Sequence, residues 1–194
     1  EFLFATDRLS LHIKRDTLAR LREMPAVEKV TAHTYLATLA GVCCSISSAR
    51  IVAFDPETDF VITPWIEQRL KRKLGKDEVV LGGKVEGISS IEMSRETWLL
   101  GMKFNVAATL DVTGTPLDNT VFLREDDVRE AIEKKLTPYV VSPDEVSVAF
   151  VALRRGFDPD TVAKTIEREN LDVKAITRGE IGSRLTRFFR VTLQ

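Results

Sequence analysis

The fold is decided by the stretch RIVAFDPETDFVITPW, residues Arg50 to Trp65. Its beginning belongs to an extended run from Ile46 to Phe54, which predicts a strand that ends at Phe54. Asp55-Pro56, followed by further Asp and Thr residues, predicts a turn, because these side chains hydrogen-bond to the nearby backbone. Pro64 predicts a helix over Trp65–Leu74, since proline is tolerated in the first helical turn. The stretch therefore predicts a strand, a tight turn and a helix in succession.

The predicted helix carries a row of cations near its end: Arg69, Lys71, Arg72 and Lys73. They indicate either a site for an anionic partner or a solvated face, because cations are favourable near a helix C-terminus. The acidic residues of the preceding turn, Asp55, Glu57 and Asp59, offer carboxylate ligands for Ca²⁺. A structured turn explains them better, since Pro56 interrupts the cluster and no further acidic ligand is close in sequence. Gly75 is the expected C-cap.

Before this stretch the sequence predicts a helix and a strand. Asp16 is the expected N-cap, apolar residues recur at three-residue spacing, and Pro25 ends the helix. Residues 27–36 are rich in β-branched and aromatic side chains and predict a strand. A short strand before the helix is also possible, because Leu9, Leu11 and Ile13 alternate with other residues.

After Gly75 the sequence is typical of a small β-rich unit. Residues 79–81 predict a short strand that ends in Gly82-Gly83, and 98–101 predict a turn into a long strand over 103–112. Residues 113–119 predict a loop and 120–123 a strand. Asp126 and Asp127 begin a helix through Leu136, because its apolar residues recur at four-residue spacing.

The end of the chain predicts a strand over 145–153, a helix capped by Asp158-Pro159, a strand over 171–177 and a helix over 181–194. With the helix and strand near the start, this pattern predicts an α+β fold. We expect two split β-α-β units to form a ferredoxin-like subdomain from residues 1–74 and 141–194. Residues 75–140 form an inserted β-rich subdomain. One continuous mixed sheet is the alternative.

Composition excludes several classes of protein. The chain has 194 residues, 44% of them hydrophobic and 29% charged, which excludes disorder and coiled coils. Its net charge of -1 argues against a binder of nucleic acid, which would be far more basic. No apolar run approaches the roughly 18 residues of a spanning helix. Because the chain begins at Glu1, without an initiator Met or signal-like segment, we expect a soluble piece of a larger protein.

The cysteines, Cys43 and Cys44, are adjacent. They fit two small buried hydrophobes, a vicinal disulfide or redox pair, or ligands for a soft metal. The two histidines, His12 and His33, have no spacing typical of a zinc site.

Motifs of catalysis are missing from the sequence. It contains no P-loop, no G-x-S-x-G and no G-x-G-x-x-G. We can assemble no constellation of nucleophile, base or metal. The sequence therefore predicts that the protein is not an enzyme, has no catalytic residue and binds no cofactor.

Four stretches together resemble the MacB-like periplasmic core domain, the ectodomain of ABC transporter permeases of the FtsX/MacB/LolC type. They are residues 24–30, 50–65, 78–82 and 104–123, and their order and spacing agree with the family. Cys43-Cys44-Ser45 is similar to a Cys-Cys-Ser found in one branch of these permeases, just before the Phe-Asp-Pro stretch. The tail from Glu145 matches by pattern only. The motif positions are Phe54, Asp55, Pro56, Asp59, Phe60, Pro64, Trp65, Gly82, Gly114, Asp118 and Asn119.

The resemblance implies a porter-like subdomain with a β-rich insertion, on the extracytoplasmic face of the cell membrane. It implies that the domain couples ATP-driven movement of membrane helices to export or extraction of a substrate, without chemistry of its own. The implied partners are a second permease protomer, a cytoplasmic ATPase subunit reached through transmembrane helices absent from this chain, and a periplasmic or outer-envelope partner.

The chain departs from whole members of the family because it has neither transmembrane helices nor an ATPase, and its first strand is weak. The alternative function is an extracytoplasmic binding or scaffold module that uses the region of Cys43 and Cys44. The arginines Arg184, Arg187 and Arg190 fit either a stalk that approaches anionic head groups or a solvated helix face.

Overall fold

The computed structural model of the chain describes residues 13–38, 49–85, 95–137, 142–169 and 173–180. Its strands are β1 (Ile13–Lys14), β2 (Val27–Ala37), β3 (Arg50–Phe54), β4 (Glu78–Leu81), β5 (Glu96–Leu99), β6 (Met102–Thr109), β7 (Thr120–Arg124), β8 (Glu145–Val146) and β9 (Val148–Leu153). Its helices are α1 (Arg15–Glu23), α2 (Thr63–Leu70), α3 (Glu125–Glu133) and α4 (Pro159–Arg168), and Pro116–Asn119 forms a 3-10 turn. The predicted α+β class is confirmed.

Seven of these strands form one mixed sheet in the order β5-β6-β4-β7-β3-β2-β9. Strands β3 and β7 are parallel, as are β4 and β6, and the pairs β2–β3, β4–β7 and β5–β6 are antiparallel. The strands of the predicted insertion therefore continue the sheet of β2 and β3, through the pairing of β7 with β3. The weak first strand is only two residues long in the described part of the chain, and it pairs with β8.

A hydrophobic core lies on each face of this sheet. On one face, α3 packs Val128 and Ala131 against residues of β3, β4, β6 and β7, of which Phe104 is fully buried. On the other face, α2 packs Ile66 against Phe54 and Phe122. Alternate residues of each strand point to opposite faces, so the two cores come from the same strands.

Two compact units divide the chain. One contains the described residues within Glu1–Arg15 and Thr31–Phe150, and the other those within Asp16–Val30 and Val151–Gln194. In the second unit, α1 buries Leu18 and Leu21, and α4 buries Val162 and Ile166. The amide of Arg154 donates to the carbonyl of Ala26 at 2.9 Å in the same unit. This division does not follow the expected boundaries at 74/75 and 140/141, which stay a prediction.

Helix termini differ from the sequence prediction in three places. Helix α1 begins at Arg15, so Asp16 lies in its first turn instead of capping it. Helix α2 ends at Leu70, because Lys71 turns into the left-handed region with a φ of 60°, and Gly75 is therefore not its C-cap. Helix α3 ends at Glu133, three residues before the predicted end. In α3 the apolar residues keep their four-residue spacing as far as Leu136, although the helix itself ends at Glu133.

Strand predictions also need correction. Residues 96–99 form the edge strand β5, so the turn is confined to Leu100 and Gly101, where both φ angles are positive. The predicted strand 145–153 is interrupted at Ser147. Residues 173–177 are not a strand, although their apolar residues alternate. The predicted helix over 181–194, with its three arginines, lies outside the described residues.

No helix within the described ranges is both long and apolar enough to cross a bilayer.

Candidate functional site

A buried carboxylate holds the loop between β3 and α2, residues 55–63, which we call the Asp59 loop. Oδ2 of Asp59 accepts hydrogen bonds from the backbone amides of Val61 at 3.1 Å, Ile62 at 2.6 Å and Thr63 at 2.6 Å. These amides belong to the start of α2, where N–H groups have no partner within the helix and where the helix dipole favours a negative charge. Asp59 therefore fixes the end of the loop and the beginning of the helix together.

The other carboxylate oxygen binds strand β2. Nε2 of His33 donates to Oδ1 of Asp59 at 2.7 Å, and Oγ1 of Thr31 lies 3.5 Å from the same oxygen. The His33 ring is 1% exposed and packs against Phe150 with ring centroids 4.7 Å apart, and Phe54 lies near it at 6.3 Å. Because no substrate can reach this histidine, the His33–Asp59 pair is suited to holding two elements together and not to general base catalysis.

The protonation of Asp59 follows from these partners. Burial alone would raise the pKa of its carboxyl, but hydrogen bonds from His33 and from the amides of Thr63 and Ile62 outweigh burial and hold that pKa below its usual range. Asp59 is therefore a carboxylate at neutral pH, and the charge strengthens each of the hydrogen bonds it accepts.

The rest of the acidic cluster has other partners. Asp55 accepts from the amide of Glu57 at 2.9 Å and from Oγ1 of Thr58 at 2.8 Å, which is the predicted turn chemistry. Glu57 pairs with Lys73 at 2.6 Å on the surface. Within the described ranges, no group of three or more His, Cys, Asp and Glu side chains can hold a metal ion.

A second buried carboxylate holds the loop between β6 and β7, residues 113–119, which we call the Asp118 loop. Asp118 is 2% exposed, and its Oδ1 accepts from the amide of Thr113 at 2.8 Å and from its hydroxyl at 2.7 Å. Its Oδ2 accepts from the amide of Gly114 at 2.8 Å. These hydrogen bonds, those from Thr113 first, hold the pKa of the Asp118 carboxyl below its usual range.

The Asp118 loop contacts the turn after β4 through backbone hydrogen bonds, and Nζ of Lys84 lies 3.9 Å from Oδ2 of Asp118. The amide of Gly82 donates to the carbonyl of Thr120 at 2.7 Å, and the amide of Lys84 donates to the carbonyl of Asp118 at 2.8 Å. A Cβ at Gly82 would lie 2.2 Å from the carbonyl oxygen of Leu117. Only glycine permits this approach, so the structure explains the Gly82 motif position by packing.

The motif residues thus gather at two places. Phe54, Asp55, Pro56, Asp59, Phe60, Pro64 and Trp65 belong to the Asp59 loop or its flanking elements, whereas Gly82, Gly114, Asp118 and Asn119 lie at the Asp118 loop. In the parallel pair β3–β7, Arg50 is opposite Thr120 and Phe54 is opposite Arg124. The Asp59 loop follows β3 and the Asp118 loop precedes β7, so the two loops lie at opposite ends of this pair.

Several motif side chains contribute to the core that α2 covers. Phe54 is fully buried, and Trp65 packs edge-to-face on Phe122, with ring centroids 5.8 Å apart. Pro64 lies in the first turn of α2, as predicted. Of these three residues only Phe54 is fully buried, since Trp65 is partly buried and Pro64 is exposed.

Two of the four cations predicted for this helix pair with acidic side chains, and Lys71, Arg72 and Lys73 lie just beyond the end of α2. Arg72 donates to both carboxylate oxygens of Glu78, at 2.6 and 2.7 Å, in addition to the Lys73–Glu57 pair. These pairs neutralise half of the row, and the predicted site for an anionic partner stays a prediction.

The candidate ligands Cys43 and Cys44 lie outside the described residues, as does His12. The chain on either side is described: the amide of Thr38 donates to the carbonyl of Ala49 at 2.9 Å, and the amide of Ala49 donates to Oγ1 of Thr38 at 2.9 Å. The roles expected for the cysteines stay predictions.

Sequence reasoning missed two buried polar residues, His33 and Asp127, which are each 1% exposed. The alternation of β2 places Thr31 and His33 on one face, and this was the signal available for the first. Asp127 was assigned only to the start of a helix, and nothing in the sequence showed that its side chain is buried.

Among known proteins, the chain is similar to solved structures but matches no family model and no curated sequence. The periplasmic region of MacB from Actinobacillus actinomycetemcomitans is similar, with a TM-score of 0.58 and 11% identity over 96% of this chain and 88% of that one. The extracellular domain of YknZ, a noncanonic ABC-type transporter from Gram-positive bacteria, gives a TM-score of 0.52 and 11% identity over 86% of this chain and 88% of that one.

Both proteins carry these domains outside the cytoplasm, and both likenesses extend over nearly the whole chain. At 11% identity they establish the fold and nothing finer. The fold that the order of sequence motifs predicted is confirmed: this chain has the fold of the extracytoplasmic domains of MacB-type permeases.

Proposed function

We propose that the chain is the extracytoplasmic domain of an ABC transporter permease subunit and acts by moving, not by catalysis. The observation that carries this proposal is the likeness to two such domains over 96% and 86% of the chain. The order of the sequence motifs, which resembles that of these permease domains, also supports this proposal. The motif residues belong to the Asp59 loop, the Asp118 loop or the elements beside them.

In this proposal the domain lies at the extracytoplasmic face of the cell membrane. Its partners are a second permease protomer and a cytoplasmic ATPase subunit, and a periplasmic or outer-envelope protein completes the assembly. Movement of membrane helices on ATP binding passes to the domain and drives export or extraction of a substrate. We also retain as a proposal the division into residues 1–74 with 141–194 and an inserted 75–140. The adjacency of β4, β5 and β6 in the sheet supports it.

The rigidity of the two loops supports a mechanical role. Each is held by a buried carboxylate that accepts three or more hydrogen bonds, so a displacement at either loop moves the attached strand with it. The alternative function, a binding or scaffold module that uses Cys43 and Cys44, has no comparable support within the described residues.

The location is tested with the full-length permease in cells. Cys43, Cys44 and any further cysteine of the permease are replaced by serine, and Glu57, which is exposed, becomes the single labelling site through Glu57→Cys. We expect a membrane-impermeant maleimide to label it in intact cells, after permeabilisation of the outer membrane where there is one. A cytoplasmic protein with one exposed cysteine is the control. Labelling only after lysis would refute the location.

Coupling is tested separately on the assembled complex. One spin label is attached at the equivalent residue of each protomer, and the distance between the two labels reports the distance between the ectodomains. We expect this distance to change when ATP is bound without hydrolysis, and not with ADP. An unchanged distance would refute the coupling while leaving the location intact.

A further inference from the structure

Asp127 is a buried acid for which the proposed function gives no role. It lies in the first turn of α3, is 1% exposed, and neither of its carboxylate oxygens has a hydrogen-bond partner of good geometry among the described residues. Buried carboxylates are normally paired or hydrogen-bonded, since an ion without partners is costly to remove from water. The buried environment therefore favours the neutral acid over the carboxylate more strongly than water does.

The charged groups facing Asp127 come from two neighbouring segments. Arg124 at the end of β7, Lys76 and the backbone amide of Asp77 favour the carboxylate, whereas the side-chain charge of Asp77 opposes it. Helix α3 also contacts β3, which presents Ile51 and Ala53 on this face. At the start of α3, Glu125 pairs with the charged side chain of Arg15 and accepts from Oγ1 of Thr34 in β2. The balance is unfavourable to ionisation: burial, the largest cause, raises the pKa of Asp127 to about 6.

The segment that faces Asp127 is a strained turn. Asp77 has a φ of 55°, which is uncommon for a residue with a side chain. Its carbonyl accepts from the amide of Asn105 in β6 at 2.8 Å, and its neighbour Lys76 pairs with Glu130 of α3 at 3.0 Å. This turn therefore joins α3 to the start of β4 and to β6, directly beside the buried acid.

We propose that Asp127 is a proton-controlled switch for this junction: the neutral acid holds α3 against the turn at 76–77, and the carboxylate loosens it. An ionised carboxylate must be hydrated, and in this proposal the strained turn at 76–77 opens to admit the water. Mild acid therefore stabilises the junction, in contrast to the carboxylates of the Asp59 and Asp118 loops. The inference concerns the chain itself and does not depend on the proposed function.

The first test compares the full 194-residue chain with Asp127→Asn, a neutral substitute of the same shape. Asp126→Asn, at the exposed neighbouring position, is the matched control. For an acid with a pKa of about 6 when folded and 3.8 when unfolded, linkage predicts that the unfolding equilibrium constant, relative to the Asn variant, falls about tenfold between pH 7.5 and 5. Urea unfolding at each pH measures it, and parallel pH profiles for the chain and Asp127→Asn would overturn the proposal.

A second test needs no variant. Hydrogen exchange, corrected for the intrinsic effect of pH, reports the amide of Asn105, which is bonded to the turn. The amide of Leu110, bonded to Leu81 at 2.8 Å, is the control on the same strand system. We expect protection of Asn105 to rise on acidification from pH 7.5 to 5 by several-fold more than that of Leu110. Equal changes at both amides would also overturn the proposal.

Discussion

Replacement of Asp59 by alanine tests the interpretation of the Asp59 loop most directly. The substitution removes the acceptor for the amides of Ile62 and Thr63, which costs about 1 kcal/mol, the usual effect of losing a helix cap. It also leaves Nε2 of His33 buried without its partner, at a cost of about 1–3 kcal/mol. We therefore expect the free energy of unfolding to fall by about 2–4 kcal/mol, a large part of the 5–15 kcal/mol typical of a domain.

Urea unfolding at pH 7 measures this loss, with the m-value checked to be unchanged. Asp55→Ala is the matched control, because Asp55 is a half-buried aspartate of the same loop whose side chain bonds only within the turn. It is expected to cost less than about 1 kcal/mol. Equal losses for the two variants, or a loss for Asp59→Ala within about 0.5 kcal/mol of zero, would refute the reasoning.

Three further predictions concern other parts of the fold. Gly82→Ala should destabilise by about 3 kcal/mol or more, because its Cβ would lie 2.2 Å from a backbone oxygen of the Asp118 loop. Gly114→Ala should destabilise the chain by about 1–2 kcal/mol, because of its φ of 73° alone. Similar thermal midpoints for the Gly82→Ala and Gly114→Ala variants would contradict the close backbone approach at Gly82. Phe104→Ala should lose about 3–5 kcal/mol on chemical unfolding, whereas Val61→Ser, at an exposed position, should stay within about 0.5 kcal/mol. The lowered pKa of Asp118 contributes stability above the ordinary Asp pKa and loses it as pH falls through the folded value. The stability gap between the chain and Asp118→Asn should therefore narrow from pH 7 to pH 3, and a constant gap would exclude this contribution.

Local sequence signals predicted the elements whose cause is local. The turn at Asp55-Pro56 and the start of α2 at Pro64 follow from side chains that act within a few residues. Asp158 caps α4 in the same way, by accepting from the amide of Thr161 at 2.8 Å. The family resemblance predicted what local signals cannot, a subdomain inserted between the two parts of another, and that division stays a prediction.

Long-range contacts explain what the sequence did not predict. The partner of Asp59 is His33, 26 residues earlier in the chain, and no spacing rule joins a loop aspartate to a strand histidine. The early end of α2 is a local difference instead: Lys71 adopts a φ of 60°, and Arg72, just beyond the helix, pairs with Glu78. Alternating apolar residues predicted a strand that residues 173–177 do not form, because a periodic pattern describes a strand only where a neighbour pairs with it.

The parallel pairing of β3 with β7 has a mechanical consequence. The Asp59 loop is attached to the far end of β3 and the Asp118 loop to the near end of β7, and five residue pairs join the two strands. A pull between the loops therefore acts along the strands and loads all of these hydrogen bonds in shear, at the same time. Antiparallel neighbours joined by a hairpin would instead be peeled apart one bond at a time. The centre of the sheet is thus built to carry tension from one end to the other without coming apart.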